Sequence, residues 1–311
     1  MTDDKLRQLR ELLPATGAGI YLDTANRGPL SAETAAAMRE ADDWELRVGR
    51  VWEGRDDDVL QRHDEARAVL AALIAADPDE ITITPGVDAA AALIERTVGV
   101  PPEGIEPHIH RATGERVRQS GAGQHPWVVD ASLAVGAVPV SVADVAADAV
   151  VFAVDRWLLG PENVAAVWLP RGVTREGMSV ARTQLIGVAR SVGWLEMYVG
   201  VDWIFERTAA LAKRLHNLLS DAPGVDVLTP ASAIAAIVSF RISNWPLDEA
   251  LGELRRRVFA IINEAPGLDA IRASVAWFNT DEEIDRFAEA VAELARHTPD
   301  TLPRRPTLLV H

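Results

Sequence analysis

Short apolar runs separated by helical patterns constrain this chain most. The run ITIT at 81–84 is β-branched, and VVFAV at 150–154 and AAVWL at 165–169 are apolar at every position. A strand that is apolar throughout, not merely at alternate residues, is one covered on both faces. Between the runs lie segments of helical character. Residues 32–48 follow a serine with a glutamate in the first turn, and 56–76 carry apolar residues at helical spacing before the turn DPDE. Strands alternating with helices predict an α/β fold with a mainly parallel sheet.

Residues 100–124 are poorer in pattern and predict a loop, a polar helix and a Gly-rich turn. Beyond residue 190 a long, strongly periodic helical region leads into a small mixed α+β unit. The expected division is therefore 1–190, a large sheet domain whose N-terminal segment packs on the smaller unit, and 191–311, a connecting helix and a small C-terminal domain. The Pro-rich tail 298–311 is expected to lie against the surface.

Composition narrows the chemistry. Formal charge is -15, with 31 basic and 46 acidic residues, and no basic run stands out, which argues against nucleic acid as a partner. No apolar run is long enough to cross a bilayer, and the charged amphipathic start MTDDKLRQLRELL does not read as a signal peptide; the expected location is the cytoplasm. Cysteine is absent, which removes disulfides, thiolate metal sites and thiol nucleophiles. Lys5 and Lys213 are the only lysines, so Schiff-base chemistry on the chain has two candidates.

Four segments taken in order, IYLDTANRGPL (20–30), DEITITPGVDAAAALI (79–94), VVDASLAVG…AVVFAVDRWLLGPE (128–162) and IRASVAWFNTDEEIDRF (271–287), resemble the class V aminotransferase superfamily. That group includes isopenicillin N epimerase-like proteins, cysteine desulfurases, selenocysteine lyases and kynureninases. The resemblance implies the pyridoxal phosphate (PLP) fold type I and, by family habit, a homodimer. Set against it, the stretch 100–124 is too short for the family's usual strands, which implies a reduced central sheet.

At single positions the same resemblance implies losses. The family's PLP lysine falls at Arg156, whose guanidinium stays protonated and offers no free amine. Asp130 matches the aspartate set against the pyridine nitrogen, but its neighbour is Leu133. Ala153 and Asp155 replace phosphate-holding residues, and Val87 and Asp88 replace the hydroxyl of a phosphate-binding turn. Arg272 matches the arginine that grips the substrate carboxylate; the plainer reading pairs it with a local acid in the small domain.

Other features have bland explanations. His108, His110 and His125 form no complete metal set and read as a solvated loop. Asp155 beside Arg156 is expected to form a structural ion pair. Trp44, Trp52, Trp194 and Trp203 read as core or dimer-interface packing.

Together these changes predict no covalently held cofactor, with PLP bound only non-covalently if at all, and a scaffold or regulatory homologue. Two alternatives stand beside that reading. One is a cofactor-independent enzyme acting on a small carboxylate-bearing, amino-acid-like substrate, with Arg272 as the grip and Asp130, Asp155 or His125 as acid or base. The other is a PLP-dependent lyase, epimerase or aminotransferase.

Overall fold

The computed structural model describes residues 3–102, 105–107, 126–171 and 179–303. His108, His110, His125 and the end of the Pro-rich tail lie outside the described residues.

The main sheet has five strands: β2 (Ile81–Thr84), β3 (Ile105–Pro107), β4 (Val128–Asp130), β5 (Ala149–Ala153) and β6 (Ala165–Trp168), in the spatial order β2-β6-β5-β4-β3. β3, β4 and β5 pair in parallel. β6 runs against both β5 and β2, so four of the five strands point the same way. β5 and β6 are buried at every position, as their unbroken apolar runs require. β3 arises in the stretch expected to be loop, helix and turn.

Helices cover both faces. α2 (Ala32–Val48) and α3 (Arg55–Leu73) pack on α6 (Arg182–Trp194), and α4 (Val87–Val98) lies against β5 and β6. The expected cap of α2 forms: Ser31 Oγ accepts the Thr34 N–H at 3.0 Å. The DPDE turn is a reciprocal box in which Asp77 and Glu80 each accept a backbone N–H of the other's turn. Between them, these devices fix where α2 starts and where β2 starts.

The second unit is a four-stranded antiparallel sheet, β10 (Asn263–Ala265), β11 (Ala270–Ser274), β8 (Ile237–Ile242) and β7 (Val225–Val227), in that order. α7 (Val201–Ser220), α8 (Leu247–Val258) and α9 (Asp281–Ala295) cover it around Phe240, Phe287 and Ile271. The N-terminal strand β1 (Ile20–Tyr21) pairs with β9 (Ala260–Ile261), and Ile20 and Leu22 join this second core. The long helical region after 190 is two helices, not one. A turn of π-helix, Leu195–Val199, and Gly200 at φ 98° divide α6 from α7. Only glycine takes that φ without strain, and it re-aims the chain toward the second unit.

No helix among the described residues is long and apolar enough to cross a membrane.

Candidate functional site

Because β2, β4 and β5 run the same way, their carboxyl ends meet at one edge of the main sheet, where α/β folds of this kind bind ligands. At that edge stand Asp130, which ends β4, Arg156, three residues beyond β5, and the first turn of α4 after β2.

Asp130 is positioned by its own turn. Its Oδ1 accepts the Ser132 N–H at 2.8 Å, and the buried Ser132 Oγ accepts the Ala153 N–H at 2.9 Å. The carboxylate at the end of β4 is thereby tied to the last residue of β5. Arg156 is half-buried and leads a tight loop: its carbonyl accepts from Leu159 N–H, and Leu159 sits at φ 53°. Trp157, Leu158 and Leu159 are buried beneath it, which fixes the loop to the core.

The N-terminal segment 23–28 closes over this loop. Gly28 donates its N–H to the Asp155 carbonyl at 2.8 Å. A Cβ at Gly28 would stand 2.1 Å from the Arg156 carbonyl oxygen, so only glycine allows this approach. The other end of the segment reaches β11, where Asp23 bridges Ser274. There the Arg272 side chain is 9% exposed, and its Nη2 lies 3.9 Å from Asp23 Oδ1. That separation is an ion pair without a hydrogen bond. Asp23 Oδ2 accepts instead from Asn263 Nδ2 at 2.9 Å and from Asn26 Nδ2 at 3.3 Å. Asp23 Oδ1 and Arg272 Nε are buried without any hydrogen-bond partner. Burial pushes the Arg272 pKa below its ordinary value; Asp23 opposes the shift and Arg156 adds to it.

Two expectations change here. The acid beside Arg272 is not in the small unit; it is Asp23 on the N-terminal segment. The structural ion pair between Asp155 and Arg156 does not form among the described residues. Burial raises the Asp155 pKa, and the nearby charges of Arg27 and Arg156 only offset it, while Arg27 itself is engaged by Glu162 at 2.5 Å. Arg156 and Arg272 thus both meet segment 23–28, and Asp130 is tied through Ser132 to the end of β5, three residues before Arg156, whereas His125 lies outside the described residues. Among those residues no group of three His, Cys, Asp or Glu could hold a metal.

Sequence reasoning missed Asp23, Asn263 and Gly28. The run LDTANRG carried a signal for two of them, since Asp and Asn followed by Gly mark a local turn, and Asn26 and Arg27 N–H both bond the Asp23 carbonyl at 3.0 Å. Asn263, in a different strand 240 residues away, left no local signal.

Trp194 packs in the core and Trp203 against it, each meeting Trp277 at 5.9 Å, whereas Trp44 and Trp52 are half-buried outside it and lie edge-on to each other at 4.4 Å. A separate cavity of about 720 Å³ is lined by residues of α2, α3 and α6 and the turn after it, among them Trp44, Arg182 and Met197, and by none of Asp130, Asp155, Arg156 or Arg272.

No family model matches the chain. Isopenicillin N epimerase of Streptomyces clavuligerus is 26% identical over 286 residues, covering 76% of this chain and 69% of that protein. Among solved structures, the cystine C–S lyase C-DES in complex with its product cysteine persulfide superimposes with a TM-score of 0.77 at 15% identity, covering 90% of this chain and 99% of its own. An apo cysteine desulfurase from Thermococcus onnurineus does so at 0.76 and 17%, covering 93% and 98%. A lysine-to-alanine mutant of C-DES, with glycine covalently linked to the PLP cofactor, does so at 0.75 and 16%, covering 91% and 98%. The resemblance to the class V aminotransferase superfamily holds, and the fold is PLP fold type I.

These neighbours correct the expectation of no covalently held cofactor, with PLP bound only non-covalently if at all. In the C-DES mutant a replaced lysine and a retained PLP occur together, the cofactor joined to glycine. Loss of a lysine therefore does not by itself remove PLP from this fold, and that loss was one of the changes on which the expectation rested.

Proposed function

We propose that this chain is a PLP-dependent enzyme acting on a small amino-acid-like substrate, by lyase, epimerase or aminotransferase chemistry. The observation that carries the reading is Arg272: a nearly buried guanidinium with an unpartnered Nε, beside the segment 23–28 that also meets the Arg156 loop. A cation kept at the desolvation cost of burial, with hydrogen-bonding capacity unspent, suits a substrate carboxylate.

The residues fit PLP at its two ends. Asp130, fixed by Ser132, would hold the proton on the ring nitrogen. The first turn of α4 has backbone N–H groups without helical acceptors, and these would face the phosphate. No side-chain hydroxyl assists there, and Asp88 in that turn opposes the charge, so the backbone and the helix dipole must do the holding. Bound PLP supplies an electron sink for breaking a bond beside the substrate amine. Arg272 would take the substrate carboxylate and so orient that bond. Lys5 sits on α1 (Asp3–Glu11) with its ammonium 5.5 Å from the Tyr198 ring, and Lys213 is on α7, so neither stands at the carboxyl edge.

The test is a PLP titration followed by absorbance, repeated with alanine or aspartate present. A saturable change in the PLP band, altered again by the amino acid, is the expected result. A spectrum identical to free PLP at all protein concentrations would remove the proposal. We also propose that the chain works as a homodimer. Met197, which lines the α2–α6 cavity, Leu46 on α2 and Val51 just after it are 87%, 84% and 93% exposed, and a second copy would cover them. Light scattering that gives one 33.7 kDa chain at micromolar concentration would refute this.

A further inference from the structure

Arg156 and Arg272 come from different sheets, yet one short segment seats both. Gly28 rests on the Arg156 backbone and Asp23, five residues earlier, faces Arg272. Each carboxylate nearby is a poor counter-ion. Asp23 is 3.9 Å away and spends Oδ2 on Asn263 and Asn26. Asp155 is half-buried and makes no ion pair with Arg156 among the described residues, and Glu162 is occupied by Arg27. Arg156 has no ion pair among the described residues, and the turn closed by the Asn26 and Arg27 N–H groups on the Asp23 carbonyl joins the Gly28 contact with the Arg156 loop to the Asp23 contact with Arg272; the Arg156 charge adds to the lowering of the Arg272 pKa. Two cations brought within electrostatic reach and left under-neutralised repel each other, and that repulsion is relieved by anionic groups placed between them.

We propose that Arg156 is a substrate-binding residue that forms a clamp with Arg272, and that the clamp selects substrates with two acidic groups, such as acidic amino acids. This rests on the proposed amino-acid chemistry of the site and adds its substrate class. Arg272 takes one carboxylate of the substrate and Arg156 the other. A guanidinium is suited to this because its planar fork binds a carboxylate through two parallel hydrogen bonds.

The clamp can be tested apart from the chemistry. Succinate and acetate cannot join PLP, so calorimetric titration of the protein with each measures the clamp alone; aspartate and alanine are then titrated into protein incubated with PLP. Wild type is expected to bind the two-acid member of each pair at least about tenfold tighter, the scale of one charge-assisted contact. Arg156→Gln should collapse that ratio toward one and Arg156→Lys should keep part of it, with far-UV circular dichroism showing that both variants fold. A wild-type ratio near one, or a ratio that survives Arg156→Gln, overturns the clamp. Selective succinate binding without any PLP response would leave the clamp standing and remove the PLP chemistry; a PLP response with no selectivity would do the reverse.

Discussion

Replacing Gly28 by alanine should unseat the N-terminal segment from the sheet edge, and the size of the effect follows from distances. The added Cβ would lie 2.1 Å from the Arg156 carbonyl oxygen and 2.6 Å from Leu159 Cδ2. The oxygen cannot simply retreat, because it accepts the Leu159 N–H at 3.1 Å, and Gly28 itself donates to Asp155 at 2.8 Å. Restoring ordinary van der Waals contact needs a backbone displacement of more than 1 Å, by comparison with the usual carbon–oxygen separation of about 3.3 Å or more. Overpacking costs about 1–3 kcal/mol, and losing the Gly28–Asp155 hydrogen bond costs about 1 kcal/mol more, for a total of about 2–4 kcal/mol. At about 2–4 °C per kcal/mol for a larger domain, thermal unfolding followed by far-UV circular dichroism should show a Tm lower by about 5–15 °C. Gly17→Ala is the control, since nothing lies within 4 Å of its added Cβ. If the two variants unfold at the same temperature, the close seating of 23–28 on the Arg156 loop is wrong.

Other outcomes follow from individual contacts. Thr280 caps α9 in a reciprocal box with Glu283, so Thr280→Ala should cost about 1 kcal/mol in urea unfolding, with an unchanged m-value. Burial works to raise the Asp58 pKa, but hydrogen bonds from Arg182 and Arg62 outweigh it and the net shift is downward. A depressed carboxylate pKa contributes stability that is present above the unfolded value, about 3.9, and is lost as pH falls through the folded value. The urea midpoint of the wild type should therefore drop more between pH 5 and pH 3 than that of Asp58→Asn; equal drops would refute the assignment. Arg272→Gln should lower affinity for carboxylates of either kind by about tenfold or more, measured by the same calorimetry.

The sequence made the layers of the fold legible because β5 and β6 are apolar at every position and α2 carries its serine cap, both local signals. Strand direction was less legible. β6 returns antiparallel to β5, and the cue was the short link 154–164, which has no room for a helical crossover. The helical period continues through residues 195–199, so the break between α6 and α7 lay in Gly200 and in the packing of Trp194 on Trp277, not in the pattern. Arg156, Asp130 and Arg272 were legible as individual positions. Their shared setting was not, because it depends on Asp23, Gly28 and Asn263, which reach the site through backbone approach and long-range hydrogen bonds. The cofactor expectation failed for a related reason. It took the changes at Arg156, Leu133, Ala153, Asp155, Val87 and Asp88 one position at a time, whereas the end of β4 keeps Asp130 and the first turn of α4 keeps backbone N–H groups without helical acceptors.

The most direct test of the site is a crystal structure of the chain grown with PLP. The account predicts the ring within hydrogen-bonding distance of Asp130, the phosphate at the first turn of α4 and Arg272 facing the carboxylate side. PLP located elsewhere, or a carboxyl edge in which Asp130 and Arg272 make no contact with it at saturating concentration, would contradict it.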